Sequence, residues 1–568
     1  MSLSLSPAWK RRLRRFGIVL ALLVVASFAF AKCVTSIIWH QREEAHAPPA
    51  LNGAKANAAV ATAHPLATEA AREVLAEHGT AVDAAIAAAL VTMVTEPGIV
   101  SLAGGGFVTV WPAAAATAVT VDGCVAMPGL DGPASRTRDE REVRTSYGGG
   151  VTMTVGLGSV AVPGALAALD LAQSRYGTLP WPAVVEPSVD AARDGFVLGT
   201  AAGYYLPLVR DDAFGWDPET RRALQGDDGD WVAAGDRMVI AGLEDTVRLL
   251  AEEGGRTLHD GALAEVVAAD MAARGGLVTR TDLASYRPVV RDALPVRAGR
   301  WDLRTNPPPA IGGPVLAAML TLLGDRPSGP WTEDDVAHLV AVQRRVLDVR
   351  RDRLDVADDR TATALELLDE VGWVPSAPAS PSTAHVSAVD SDGTACAVTT
   401  SYGYGSGATV PGTGLWLNNC LGERELNRSA GVAPGGRLAS NMAPTVGRRD
   451  DGAVLALGSP GADRITTALL QVLASVAHGG AGLQDAVDRP RLHVHHLDDG
   501  GRHPEGDGAA VQVEAEADLP LPPLPLPVRR HHPHSMYFGG VGAALLLPDG
   551  QLEAAADPRR VGAVVVSP

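Results

Sequence analysis

Lysine is nearly absent from this sequence of 568 residues, in which it occurs only as Lys10, Lys32 and Lys55. Schiff-base and serine–lysine mechanisms therefore have no candidate lysine in the long body of the chain that follows. The formal net charge is −17, and no basic face suited to a phosphate backbone is apparent. We therefore expect no binding to nucleic acid.

Cysteine is also scarce, and its spacing excludes two kinds of scaffold. The four cysteines are Cys33, Cys124, Cys396 and Cys420. They are too few for a disulfide framework and show no CxxC spacing. We expect them to act mostly as small apolar residues, although one disulfide between two of them stays open.

Common catalytic signatures are missing as well. The sequence contains no GxGxxG, P-loop, HExxH or GxSxG motif. Two histidine-rich stretches, 493–499 and 529–534, fit no closed set of metal ligands, and we expect exposed loops there. No metal and no cofactor is predicted.

The N-terminus predicts export. Five basic residues in "KRRLRR" precede an apolar run over 16–31, which is the charge order of a secretory signal or a signal anchor. "AFA" before Lys32 favours cleavage, whereas "CVTSIIW" after it favours a retained anchor. Residues 1–40 would hold this segment, with membrane contact through 16–39, and 41–65 would form a polar, alanine-rich linker. We expect a protein of the cell membrane, or a secreted one.

The body opens with two predicted helices. "LATEAAREVLAEHG" is amphipathic and ends at Gly79, whereas the next helix starts at Thr80 with Asp83 in a capping-box position. The second helix is almost wholly small and apolar, so it should be buried against a sheet. Two paired strands follow, and then a surface loop over 129–150. Further helices are expected at about 163–176, 185–194, 242–254, within 332–370, and near 464–478.

The segment "SPSTAHVSAVDSDGTACAVTTSYGYGSG" (380–407) predicts a β-hairpin with Asp392-Gly393 at its turn. Thr383 would open the first strand, directly after a loop. A threonine hydroxyl is a weak nucleophile, but the threonine's own α-amino group can activate it once the chain is cut before that residue. Threonine is also common in strands for packing reasons, so position alone leaves both interpretations open.

Ordered sequence matches connect these pieces to a known family. "HGTAVDAAIAAALVTMVTEPGIVSLAGGGF", "VPGALAALDLAQSRYGTLPWPAVVEPSVDAARDGF", "NPPPAIGG", "STAHVSAVDSDG", "PGTGLWLNN", "NMAPTV", "GSPGADRI", "RPRLHVHH" and "ADPRR" follow each other in family order. From about residue 67 to 560 the chain resembles γ-glutamyltransferases (γ-glutamyltranspeptidases) of the N-terminal-nucleophile hydrolase class. The resemblance implies an α+β fold, a four-layer αββα sandwich, cut into a large subunit (66–382) and a small subunit (383–568) that stay associated.

The resemblance also implies catalytic roles. Thr383 would be both the site of autocatalytic cleavage and the nucleophile. Ser401 falls where a second threonine hydroxyl supports the nucleophile. Gly461 and Ala462 fall where two glycine amides form the oxyanion hole, and alanine keeps the N–H group unless the position requires a positive φ.

The positions at which the family binds the glutamate end of the substrate match less well in this sequence. Gly403 stands where the family has an asparagine, and Glu423 keeps an acidic residue for the α-amino group. Ser440 and Asn441 replace a serine pair and can still form hydrogen bonds with a carboxylate. Cys124 stands where the family has an arginine that clamps the α-carboxylate, a contact that cysteine cannot replace.

The implied activity is transfer or hydrolysis of γ-glutamyl amides such as glutathione, with water, an amino acid or a peptide as acceptor. The changes at positions 124 and 403 leave open a related acylase with another specificity. A different class of function, a non-catalytic, membrane-tethered protein that kept the fold, is the remaining alternative.

Overall fold

The structure is a computed structural model that describes residues 57–132, 139–145, 151–226, 229–325, 331–370, 383–423, 426–427, 431–478, 480–496, 511–560 and 562–567. The predicted signal or anchor segment and Cys33 lie outside these ranges. Within them, no helix is both long and apolar enough to cross a bilayer.

Fourteen α-helices lie in the described ranges. They are α1 Pro65–Ala76, α2 Ala81–Thr95, α3 Ala165–Tyr176, α4 Trp181–Asp194, α5 Thr200–Val209, α6 Pro218–Ala223, α7 Leu243–Glu253, α8 Ala262–Arg274, α9 Arg280–Ser285, α10 Gly312–Leu323, α11 Glu333–Val349, α12 Arg360–Asp369, α13 Arg464–Ala477 and α14 Leu483–Asp488.

Twenty-two strands accompany them. They are β1 Ala58–Thr62, β2 Gly105–Trp111, β3 Val119–Gly123, β4 Arg141–Thr145, β5 Val151–Val155, β6 Phe196–Val197, β7 Arg237–Met238, β8 Val289–Asp292, β9 Leu294–Ala298, β10 Trp301–Thr305, β11 Ala384–Asp390, β12 Ala395–Ser401, β13 Thr409–Val410, β14 Leu415–Trp416, β15 Thr445–Arg449, β16 Val454–Gly458, β17 Leu492–His496, β18 Val511–Glu516, β19 Val528–His531, β20 Gly542–Leu546, β21 Leu552–Ala555 and β22 Ala563–Ser567.

Two large antiparallel sheets form the centre. The first has the order β22-β1-β11-β12-β2-β3-β8, and the second has the order β21-β20-β16-β15-β10-β9. They pack face to face, chiefly through β11 and β12 against β16 and β20. Helices α2 and α3 cover the outer face of the first sheet, and α10, α13 and α14 cover the second. The predicted αββα layering is therefore present.

Three apolar clusters explain this layering. One lies under α2, another lies between the sheets, and a third lies under α10 and α13. Every residue of α2 is buried, because its small and apolar side chains have no polar face to offer water. The predicted capping box is present: the Thr80 side chain accepts a hydrogen bond from the backbone of Asp83, whose carboxylate in turn accepts one from Thr80 N.

The predicted hairpin is confirmed. Ala384 on β11 pairs with Thr400 on β12, and the register continues to Val389 opposite Ala395. Gly393 closes the turn with a φ of +90°, and its N–H donates to the Asp390 carbonyl over 3.1 Å. Strand β12 pairs in turn with β2. The pair of strands expected near 104–111 and 116–123 is present as β2 and β3.

Three local expectations need correction. The linker expected over 41–65 contains a buried strand, β1, which pairs with β11 and β22. The surface loop expected over 129–150 contains β4, which pairs with β5. Val143 of β4 lies opposite Met153 of β5 in this register. The histidines at 493–496 do not form an exposed loop but lie in β17, which is largely buried.

Candidate active site

Thr383 directly precedes β11, a strand buried along its whole length. Its side chain is buried, and the antiparallel register places it opposite Ser401 at the end of β12. Ser401 in turn pairs with Gly105 at the start of β2. Thr383, Ser401 and Gly105 line one pocket. The sheet register therefore brings together the two hydroxyl groups that the sequence singles out.

Gly105 makes room for the next wall of this pocket. A side-chain carbon there would lie 2.8 Å from the backbone nitrogen of Val125. Its absence lets Cys124 and Val125 come against the strand, and both of them line the pocket with Thr383.

Two backbone amides lie in the segment that borders this pocket. Neither the Gly461 nor the Ala462 N–H donates a hydrogen bond to an acceptor in the described part of the chain. Ala462 lines the pocket of Thr383, in the segment between β16 and α13. Free, preoriented amide donors beside a nucleophile are the requirement for stabilising an oxyanion.

Ala462 adopts the conformation for which glycine is suited. Its φ is +65°, and that of Gly461 is +119°. A left-handed conformation costs a non-glycine residue about 1–2 kcal/mol. The replacement of glycine by alanine at this position therefore keeps the N–H donor and adds backbone strain.

Gly403 explains the loss of the family's asparagine. Its φ is +69°, and a side-chain carbon would lie 3.0 Å from the Glu423 carboxylate and closer still to the Asn419 side chain. The Gly403 N–H donates to the Ser401 hydroxyl over 3.2 Å. Glu423 itself is buried and lines the pocket. An acidic side chain is thus present in the pocket, while position 403 carries no amide.

Ser440 and Asn441 form the opposite wall of the pocket. The Ser440 carbonyl accepts hydrogen bonds from Ile311 and Gly312, at 2.8 and 3.1 Å, which fixes this segment against the start of α10. The Asn441 side-chain oxygen is buried and has no hydrogen-bond partner among the described residues. Asn441 can therefore bind a polar group of a substrate.

Cys124 cannot act as an ionic clamp. The side chain is buried, and Sγ donates to the Leu438 carbonyl over 3.6 Å. Burial, together with the Asp122 carboxylate, raises the pKa of the Cys124 thiol to about 12. The thiol is therefore neutral, and like Cys396 and Cys420 it is free rather than disulfide-bonded.

The pocket of Thr383 is small in the uncut chain. Its cavity volume is about 30 Å³.

A second cavity on the other side of Thr383 contains Glu96, which the sequence analysis missed. Glu96 caps the C-terminus of α2, is buried, and has one carboxyl oxygen without a partner in the described ranges. Burial raises the pKa of Glu96 from 4.5 to about 8, although Arg560 opposes this shift. The available signal was an acid at the end of an apolar helix, where the helix dipole disfavours negative charge.

His385 also borders this second cavity but is occupied. Its Nδ1 lies 2.8 Å from the Thr399 hydroxyl, and its Nε2 lies 2.7 Å from the Ser387 hydroxyl. Burial lowers the pKa of His385 to about 3. The ring is a neutral part of the packing between the sheets.

Asp463, His493 and His495 form a compact cluster near the oxyanion segment. His493 lies 3.1 Å from both the Asp463 carboxylate and the Thr467 hydroxyl, so both ring nitrogens are occupied. Although burial opposes ionisation, Arg464 and His493 hold the pKa of Asp463 below its usual range. The hydrogen bonds and the Arg464 ion pair account for the cluster without a metal ion.

Comparison with known proteins agrees with this geometry. The Gamma-glutamyltranspeptidase family profile matches residues 67–567. The chain is 30% identical to Acylase ACY 1 proenzyme of Pseudomonas sp. (strain SE83), over 76% of this chain and 82% of that protein. It is 28% identical to glutathione hydrolase proenzyme of Escherichia coli (strain K12), over 88% and 90%.

A solved structure supports the fold alone. Cephalosporin acylase from Bacillus halodurans superposes with a TM-score of 0.72 at 22% identity, covering 91% of this chain and 98% of that one. The αββα layers and the threonine that opens a central strand are those of an N-terminal-nucleophile hydrolase. Within this class, the chain belongs to the gamma-glutamyltranspeptidase family.

The strain at Ala462 predicts a stability change. Ala462→Gly removes about 1–2 kcal/mol of strain and adds about 0.4–1 kcal/mol of unfolded-state entropy. We expect the free energy of unfolding to rise by about 0.5 kcal/mol. Ala462→Val should lower it by more than about 1 kcal/mol, because a β-branched residue tolerates this φ less well. Denaturant unfolding measures both, and a glycine variant less stable than the parent contradicts the prediction.

Glu96 predicts a pH dependence of stability. In the folded protein it keeps its proton up to about pH 8, whereas the unfolded chain releases it near pH 4.5. Between these values the unfolded state binds fewer protons, so stability falls as the pH rises. Glu96→Gln should flatten this slope and be more stable than the parent at pH 8.

The matched control is Glu252→Gln, which changes an exposed carboxylate on α7. It should keep the slope of the parent protein in denaturant titrations at pH 5, 6.5 and 8. An unchanged slope in Glu96→Gln would show that Glu96 is ionised throughout this range.

Proposed function

We propose that the protein is a self-cleaving amidohydrolase or acyltransferase that works through a threonine acyl-enzyme. One observation carries this proposal. Thr383 and Ser401 lie opposite each other in one pocket, beside the free amide of Ala462 and next to that of Gly461. A nucleophile, a supporting hydroxyl and an oxyanion site are the three parts that acyl transfer needs.

Maturation begins at the bond between Ser382 and Thr383. The Thr383 hydroxyl attacks the carbonyl carbon of Ser382, the C–N bond breaks, and an ester joins Ser382 to the threonine oxygen. Water then hydrolyses the ester, leaving a carboxylate on Ser382 and a free α-amino group on Thr383. The new amine supplies the base that an internal threonine lacks.

Turnover uses the same atoms. The α-amino group takes the hydroxyl proton of Thr383 while the oxygen attacks the carbonyl of the acyl donor. The Gly461 and Ala462 amides stabilise the negative charge on that carbonyl oxygen. The amine leaving group takes the proton, and an acyl ester remains on Thr383. Water releases the acid, whereas an amino acid or a peptide takes the acyl group as a new amide.

The first candidate donors are γ-glutamyl amides such as glutathione. Relatives named glutathione hydrolases share the whole body of the chain. Glu423, Ser440 and Asn441 line the pocket of Thr383. Glu423 would bind the α-amino group, and Ser440 and Asn441 would contact the α-carboxylate.

A second candidate is acylase activity on donors without the glutamyl α-groups. Two observations favour it: the buried, neutral Cys124 has replaced the carboxylate clamp, and Gly403 has no room for an amide side chain. A relative of similar identity is an acylase. Comparing kcat/KM for γ-glutamyl, glutaryl and butyryl p-nitroanilides separates the two, because glutaryl lacks the α-amino group and butyryl lacks the carboxylate as well.

Cleavage at Thr383 is the central prediction. The purified protein without residues 1–40 should mature into two associated chains, the smaller beginning Thr-Ala-His-Val. Thr383→Ala should remain one chain and lose activity, because the cleaving group and the nucleophile are the same atom. Thr383→Ser should still cleave, more slowly. Denaturing gels and N-terminal sequencing measure this.

Thr394→Ala is the matched control, since this threonine lies at the far end of the same hairpin. It should cleave like the parent protein. A parent protein that stays a single inactive chain after long incubation would favour a non-catalytic member of the family.

We also propose that the body lies outside the cytoplasm, tethered through residues 16–39 or released by cleavage there. The basic flank before the apolar run supports this. Protease added to spheroplasts of an expressing bacterium should digest the body, whereas a cytoplasmic marker stays intact. Protection until the inner membrane is lysed would contradict export.

A further inference from the structure

An open cleft lies next to the Cys124 segment. Its cavity volume is about 710 Å³, far larger than the pocket of Thr383. Ala126 and Met127, the residues that follow Cys124 and Val125, line this cleft, together with Pro309 and Arg360. The chain from 124 to 127 therefore borders both the pocket and the cleft.

Arg360 is the unusual group in this cleft. It is the first residue of α12 and is only 6% exposed. Its Nε and Nη2 atoms are buried and have no hydrogen-bond partner within the described residues. These two N–H groups form the fork with which arginine binds a carboxylate through two parallel hydrogen bonds. A buried charged group with unused donors is costly unless an anion occupies the site.

Among the described residues, no nearby carboxylate forms a hydrogen bond with this fork. Asp355 attracts Arg360, but its carboxylate lies 3.3 Å from Arg350 in a fully buried ion pair. Asp359 caps α12 by accepting from Ala362 over 3.0 Å. Arg360 therefore presents two adjacent N–H groups in this cleft that no described acceptor takes up.

Arg437, the other buried arginine of the cleft, is already engaged. It lies 3.4 Å from the Asp122 carboxylate and over the Tyr286 ring. The Tyr286 hydroxyl in turn donates to the Cys124 carbonyl over 2.6 Å. Arg437 thus holds the Cys124 segment in place.

The segment 309–311 connects the cleft that holds Arg360 to the nucleophile pocket. Pro309 lines the cleft with Arg360. It is followed by Ala310, which packs with Cys124 in one apolar cluster, and by Ile311, whose N–H donates to the Ser440 carbonyl. The side chain that replaced the family's arginine thus packs against the segment that joins the cleft to the pocket.

We propose that Arg360 binds the carboxylate of the acyl donor in place of the arginine missing at position 124. This inference rests on the proposed function. It names the substrate class as amides of dicarboxylic acids, such as glutaryl amides. The acyl carbonyl would lie at Thr383, the methylene chain would pass the apolar cluster around Cys124, and the far carboxylate would meet the Arg360 fork.

The test compares glutaryl p-nitroanilide with butyryl p-nitroanilide, which lacks the carboxylate. Arg360→Gln should lower kcat/KM for the glutaryl donor roughly ten- to hundredfold, as expected for the loss of a charge-assisted contact. It should change kcat/KM for the butyryl donor less than about threefold. For the glutaryl donor, the kcat/KM of Arg360→Lys should lie between those of the parent protein and Arg360→Gln, because lysine keeps the charge and loses the two-pronged hydrogen bonding.

The matched control is Arg353→Gln, which removes the same charge from a surface ion pair with Glu370. It should leave kcat/KM unchanged for both donors. If Arg360→Gln lowers kcat/KM equally for both donors, or does not lower it at all, the inference is overturned. Cleavage before Thr383 in each variant reports correct folding.

A binding experiment separates this inference from the proposed function. Glutarate should bind the mature parent protein in isothermal titration, and Arg360→Gln should weaken that binding at least tenfold, whereas butyrate should bind neither. If no anilide is hydrolysed but glutarate binding depends on Arg360, the proposed function fails and the anion site stands. If glutarate binds both proteins equally, the anion site fails.

Discussion

The pairing of β11 between β1 and β12 is the constraint on which the site depends. Both edges of β11 are hydrogen-bonded, and both faces are buried, by α2 on one side and by the second sheet on the other. Thr383 directly precedes this strand, so the sheet fixes the position of its backbone. The same sheet joins strands from both sides of the predicted cut, since β1 and β2 precede it and β11, β12 and β22 follow it. Cleavage can therefore free an α-amino group while the two chains remain paired.

The sequence predicted the parts of the site that follow from local pattern. The alternation of apolar residues and the turn at Asp392-Gly393 predicted the hairpin, and the capping residues predicted the start of α2. Features that depend on long-range packing, such as the burial of a polar side chain, could not be predicted from the sequence. His493 looked exposed in a polar run but lies in a buried strand, because Asp463 and Thr467 from another segment satisfy its ring. Glu96 gave only a weak signal, since its burial depends on strands that follow it by hundreds of residues.

At position 462, the N–H donor and the side chain have different requirements. An oxyanion site uses the N–H group, which every residue except proline provides. At a φ of +65°, the strain comes from the Cβ atom of the alanine. This strain lowers the stability of the folded state and does not affect the N–H donor used in the reaction. The sequence alone could identify the donor but not the backbone angle. The family chemistry can thus survive this substitution while the folded state becomes less stable.

Groups that perform acyl transfer and groups that recognise the acyl chain come from different parts of the fold. Thr383 and Ser401 lie at the ends of adjacent strands of one sheet, and the segment of the proposed oxyanion amides follows β16 of the other sheet. The packing of β11 and β12 against β16 therefore brings them together. Positions 124 and 403 lie in segments that leave the strands, where a side chain can change without moving the register. In the proposed mechanism, cysteine at position 124 would therefore alter which carboxylate geometry fits. The attack on the carbonyl carbon would be unaffected, because no proposed recognition residue shares a strand position with the nucleophile.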